Sequence, residues 1–159
     1  EAKCPVITVK ERHKINGLKN IVLPLDLSKE TQEKVGCAIK LAQAGKNTAI
    51  RVVSILFSTD EFIVNRLTRH LAQVKNRIEA ENIECTAEIV KGTKGEETLA
   101  QNIIDYASHM DGDVIMVMTQ QETDSTEFFI GSSAQEIINY SEIPVLTIIP
   151  SLTKNLIIN

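Results

Sequence analysis

The chain has 159 residues, 43% hydrophobic and 24% charged, with a formal net charge of −4 from 17 basic and 21 acidic side chains. That is enough apolar material for the core of one domain of common size, and too much for a disordered chain. An acidic balance with 4% aromatics and no Trp lacks the basic face and stacking platforms that nucleic acid needs, so no nucleic-acid partner is expected.

The chain opens on Glu1 rather than Met and shows no basic-then-apolar leader, so a piece of a longer cytoplasmic protein is expected. Cys4-Pro5-Val6-Ile7-Thr8-Val9 reads as a short strand, and a polar linker runs from Lys10 to Lys19. The first long apolar run is Ile21–Leu25, interrupted by Pro24. Proline cannot donate to a sheet ladder, so Pro24 is expected near the end of its strand, where pairing gives way to a loop. Val35, Ala38, Ile39 and Ala42 then recur at helical spacing, with Gly45 placed to close the helix.

A second apolar run, Ala49–Phe57, precedes Ser58 and Glu61, which have capping-box spacing. Leu67, Leu71, Val74 and Ile78 form the apolar stripe of the next helix; Arg66, Arg69, Lys75 and Arg77 read as its solvated face. Cys85–Val90 is the third run, followed by the short turn Gly92-Thr93-Lys94-Gly95. Thr93 with Glu96 predicts the start of a helix carrying Leu99, Ile103, Tyr106 and Met110, closed by Gly112. After the turn Asp111-Gly112-Asp113 comes Val114–Met118, then a long loop from Thr119 to Ile130. Gly131-Ser132-Ser133 opens the last helix, with Gln135 in capping-box position and Ala134, Ile137 and Ile138 on its apolar face. Val145–Ile149 is the final run, and no run approaches the length of a membrane span.

Four repeats of strand, helix, strand, with strands that are continuously apolar, predict a doubly wound α/β fold. It would comprise a five-stranded parallel sheet with helices on both faces, plus the extra N-terminal strand. Ligands of such sheets sit at the carboxyl ends of the strands, here around Asp26, Ser28, Gly92 and the loop ending at Gly131. Catalytic signatures are missing: there is no nucleophile elbow, phosphate-binding P-loop or dinucleotide turn, and His13, His70 and His109 stand beside no nucleophile. The cysteines Cys4, Cys37 and Cys85 are far apart, no Cys/His cluster has metal-ligand spacing, and Cys37 and Cys85 read as buried small hydrophobes. A non-enzymatic protein without a metal is expected.

Residues Asn20 to Pro150 resemble the universal stress protein family, whose fold is that of the adenine nucleotide alpha hydrolases. The carriers of the resemblance are Ile21-Val22-Leu23-Pro24-Leu25-Asp26-Leu27-Ser28, Asp113–Met118, Gly131-Ser132 before a helix, and Ile143-Pro144-Val145-Leu146. The resemblance implies a role in the stress response and divides residues 1–19, 20–150 and 151–159 into an N-terminal strand with linker, the domain and a tail. It also implies a nucleotide cleft lined by Pro24 and Asp26 at the adenosine end, by Val117, Met118 and Gln121, and by Gly131, Ser132 and Ser133 at the phosphate end. Members that bind ATP share G-x-x-G, nine residues, then G-[ST]. Counted back from Gly131-Ser132, the two earlier glycines fall on Met118 and Gln121, and the intervening loop carries Glu122, Asp124 and Glu127. A Cβ obstructs close approach of backbone to phosphate, and three carboxylates repel one. The expected site is therefore degraded, with no cofactor; the alternative is a site for ATP or AMP, a nucleotide-dependent switch with slow or no hydrolysis. Family members pair through the last strand, so a homodimer through Val145–Ile149 is expected. Pro5, Val6 and Thr8 repeat Pro144, Val145 and Thr147 in place, so Cys4–Val9 is expected to be the last strand of a preceding domain, pairing at the same edge.

Overall fold

The computed structural model describes residues 4–10, 17–27, 31–92, 95, 97–118, 120–121, 128–129 and 132–149. In chain order its elements are β1 (Val6–Thr8), β2 (Asn20–Pro24), α1 (Thr31–Ala44), β3 (Ala49–Leu56), α2 (Glu61–Glu79) and β4 (Cys85–Lys91). They continue as α3 (Leu99–His109), β5 (Val114–Met118), β6 (Gln120–Gln121), β7 (Phe128–Phe129), α4 (Ser132–Tyr140) and β8 (Val145–Ile148). Six strands form one sheet in the order β1-β8-β5-β2-β3-β4; five are parallel, and β1 joins β8 antiparallel. The expected doubly wound sheet with an added N-terminal strand is the fold observed.

Side-chain alternation along each strand fills two cores. Ile21, Leu23, Ile50, Val52, Met116 and Leu146 meet Val35, Ala38, Ile39 and Ala42 of α1 and Leu67, Leu71, Val74 and Ile78 of α2. On the opposite face Val22, Val53, Ile115, Val117 and Val145 meet Ala100, Ile103, Tyr106 and Ala107 of α3 and Ala134 and Ile137 of α4. No helix among the described residues is long and apolar enough to cross a membrane.

Several local expectations are corrected. The N-cap of α2 is Asp60, whose carboxylate accepts from Phe62 N at 2.8 Å, while Ser58 Oγ accepts one step earlier, from Asp60 N. Helix α3 is capped by Thr98, which accepts from Gln101 N at 3.1 Å, five residues later than the predicted start. Thr93 and Glu96 lie outside the described residues. The buried face of α3 is centred on Ala100, Ile103, Tyr106 and Ala107, and Leu99 at the first position is exposed. Left-handed backbone falls on Asn47, Asn82 and Asp111, not on Gly45 or Gly112. Gly112 is needed for another reason: a Cβ there would come within 2.8 Å of Val22 and 3.0 Å of the Ala107 carbonyl. Cys85 is buried as expected, whereas Cys37 is only half-buried and Cys4 is exposed. His70 is half-buried on α2, not fully at the surface.

Candidate functional site

The candidate site lies at the carboxyl ends of the parallel strands, and its base follows from how β2 ends. Even-numbered residues of β2 turn their backbone groups toward β5, as in the bond from Asp113 N to the Asn20 carbonyl. Odd-numbered ones turn toward β3, as in the 2.8 Å bond from Leu25 N to the Val53 carbonyl. Pairing with β5 covers Ile21 and Val22 and then stops, while pairing with β3 continues to Pro24. The missing N–H of Pro24 therefore falls on the side where the ladder has ended, which is how a proline fits a central strand. The Pro24 carbonyl on that side accepts from Lys34 Nζ at 2.8 Å.

Two hydroxyls hold the turn after β2. Ser54, buried in β3, donates to the Leu25 carbonyl at 2.7 Å. Thr31, buried at the first position of α1, donates to the Asp26 carbonyl at 2.9 Å. They leave the Asp26 residue exposed at the lip, with Pro24 buried below it. Beside them Gly92 N donates to the Leu56 carbonyl, and Gly92 lies so close to the Phe57 ring that a Cβ would collide with it. At the other end of the sheet Asp113 anchors the start of β2, its Oδ2 accepting from Lys19 N at 2.7 Å and Asn20 N at 2.8 Å.

The residues that the resemblance assigns to the phosphate end are only partly described. Val117 and Met118 are buried in β5 and lie opposite Thr147 and Ile148. Gln121 pairs with Phe128 and Gln120 with Phe129 in a two-residue antiparallel ribbon. Ser132 begins α4, and Ser133 is half-buried on its first turn. Gly131, Ser28, Glu122, Asp124 and Glu127 lie outside the described residues. The N-cap of α3 is tied to the middle of α4, since Thr98 Oγ1 donates to Glu136 Oε1 at 2.7 Å.

Pro24 and Asp26 thus come together at the end of β2, and Val117 and Met118 at the end of β5. Thr31, Lys34 and Ser54 were not singled out in the sequence. The readable signal was a lone hydroxyl in the apolar run Ala49–Phe57; nothing marked Thr31 or Lys34. Among the described residues no group of three or more His, Cys, Asp or Glu is arranged to hold a metal.

A parallel sheet wound on both sides by helices, with β2 ending at Pro24 ahead of Leu25-Asp26, defines a doubly wound α/β domain. The universal stress protein family model matches residues 17–148, and the chain belongs to that family. It is similar to a universal stress protein from Archaeoglobus fulgidus, with a TM-score of 0.69 and 21% identity over 82% of this chain and 98% of that one. A second structure, from Archaeoglobus fulgidus DSM 4304, has a TM-score of 0.72 and 19% identity over 94% of this chain and 51% of its own. The universal stress protein from Archaeoglobus fulgidus in complex with dAMP has a TM-score of 0.65 and 21% identity, over 82% and 97%. At these identities the likeness is one of fold. No curated protein sequence matches the chain.

Proposed function

We propose that this chain is a non-enzymatic unit of the stress response, acting in the cytoplasm by association through its β8 edge, with a cleft that does not grip a triphosphate. The observation that carries this reading is the backbone at the two positions where nucleotide-binding relatives have glycine. Met118 is a buried strand residue laddered with Ile148, and Gln121 is laddered with Phe128. A Cβ at each position blocks the close approach of backbone to phosphate that glycine permits. The cysteines, all unpaired, suit a reducing compartment. In this structure β1 occupies the free edge of β8, so association at that edge runs through β1.

A second reading, a switch that binds AMP or ATP with slow or no hydrolysis, draws support from the relative solved in complex with dAMP. It also draws on the adenosine end of the cleft, where buried Pro24 and the exposed lip at Asp26 are held in place by Ser54, Thr31 and Lys34. Titration calorimetry with ATP and with AMP, together with a phosphate-release assay, separates the two. The first reading expects no saturable ATP binding below about millimolar concentration and no hydrolysis. Micromolar ATP binding would overturn it in favour of the second.

A further inference from the structure

Charge is divided along the chain. Residues 1–94 hold 16 of the 17 Lys and Arg side chains and 11 of the 21 Asp and Glu. From Gly95 to Thr153 there is no Lys or Arg at all, against 10 acidic residues. The fold turns this division into one between faces: α1 and α2 come from the basic part and pack on one side of the sheet, and α3 and α4 come from the acidic part and pack on the other. From Phe62 to Ile78, α2 carries Arg66, Arg69, Lys75 and Arg77 and no acidic residue; Glu61 precedes that stretch and Glu79 ends it. Lys75 pairs with Glu79, and Arg77 reaches Gln32 of α1. Arg66 and Arg69 stand exposed on the outer surface of the helix. On the opposite layer Asp105 of α3 is exposed, as are Glu97 and Asp111 at either end of that helix.

Each layer also exposes apolar side chains. Apart from β1 and Val9, the large hydrophobic residues exposed among the described ones are Phe62 (69%) and Ile63 (38%) on α2, with Leu99 (38%) on α3 and Tyr140 (68%) on α4. Helix α2 follows the carboxyl end of β3 and α3 follows that of β4, so both run from the carboxyl end of the sheet toward its amino end. Phe62 and Leu99 lie in the first turns of the two helices, at corresponding levels. At 1.5 Å per residue, Arg66 and Arg69 come about 6 and 10 Å beyond Phe62, and Asp105 comes about 9 Å beyond Leu99. Spacings of four and seven residues keep Phe62, Arg66 and Arg69 on one face of α2. The outer surface of α2 thus reads apolar, then basic, and that of α3 reads apolar, then acidic, with matching intervals.

We propose that the α1 and α2 layer of one molecule docks on the α3 and α4 layer of a second copy of this chain, with Phe62 and Ile63 against Leu99, and Arg66 and Arg69 against Asp105. The layers lie on opposite sides of the sheet, so they meet only between molecules. A shift along the sheet normal preserves the levels that bring apolar to apolar and cation to carboxylate. The contact joins two different surfaces, so it repeats from copy to copy as an open stack. Exposed ion pairs are individually weak and screened by salt, which makes the stack sensitive to ionic strength. It uses neither the cleft nor the β8 edge.

Sedimentation of the 159-residue chain at about 20 mM and about 0.5 M salt tests it, since screening shortens from roughly 20 Å to roughly 4 Å between them. At about 100 μM chain the weight-average mass is expected to be at least ~1.5-fold higher at the lower salt. Arg69→Glu and Asp105→Arg, both at exposed positions, are each expected to lose that rise with thermal unfolding unchanged, because like charges then face each other. An equimolar mixture of the two variants is expected to regain it, since the two reversed layers meet each other and so do the two unreversed ones. A mass that is the same at both salts, including a constant dimer through the β8 edge, would overturn the proposal. So would a single variant that keeps the rise, or a mixture that fails to restore it. An acidic layer that serves a basic partner protein instead would leave the chain alone without the rise, and the proposal would fall with it.

Discussion

Removing the Ser54 hydroxyl, as Ser54→Ala, should loosen the floor of the cleft without unfolding the sheet. The hydroxyl is buried, and it is the donor to the Leu25 carbonyl at the point where β2 leaves the ladder. Its loss leaves a carbonyl unsatisfied in a protein interior, which costs roughly 1–3 kcal/mol. The neighbouring bond from Leu25 N to Val53 O, at 2.8 Å, remains and keeps the strand in register. A loss of about 2 kcal/mol in a domain of this size lowers Tm by about 4–8 °C. Scanning calorimetry reads the shift directly. Urea unfolding should move in midpoint with an unchanged slope, since the surface exposed on unfolding is the same. A Tm within about 1 °C of the parent would mean the Leu25 carbonyl is satisfied in another way, and the account of the cleft floor would be wrong.

Other substitutions probe the remaining elements. Asp113→Ala removes the acceptor of two backbone N–H bonds at the start of β2 and should cost about 2–4 kcal/mol in urea unfolding; an unchanged midpoint would contradict the anchoring role. Burial, and after it the charge of Glu88, pushes the Tyr106 phenol up to about 12. The unfolded chain loses this proton near pH 10, so the stability tied to the neutral phenol is complete below that pH and lost as pH rises to about 12. Tyr106→Phe should flatten the pH dependence of the urea midpoint in that window; an unaltered profile would show that another group governs it. Burial raises the Cys85 thiol to about 11, so a thiol reagent at neutral pH should label exposed Cys4 quickly and Cys85 only on unfolding. Rapid labelling of Cys85 in the folded protein would contradict its burial.

The architecture was legible because each strand of the parallel sheet is a mostly apolar run and each helix carries one stripe. Val114–Met118 matched to the residue, and the stripes of α1 and α2 are the buried residues themselves. Pro24 was readable as a strand end because a missing donor has few places in a central strand. Helix starts were less legible: Asp60 caps α2 and Thr98 caps α3, since several hydroxyl or carboxylate residues near a boundary have usable spacing. The closing turns were misassigned to glycines because Asn and Asp also tolerate left-handed backbone, and they hold those positions here. Of the residues named by the family pattern, Gly131 lies outside the described residues; Thr31, Lys34 and Ser54, which no pattern named, act on backbone carbonyls brought near by the fold. Such partners leave no spacing signature in a sequence.

The central claim is that the family cleft survives here without its triphosphate grip. Titration calorimetry of ATP into freshly purified, nucleotide-free protein tests it most directly. The account predicts no saturable heat up to about millimolar ATP. A micromolar dissociation constant, abolished by Gly131→Val, would contradict it.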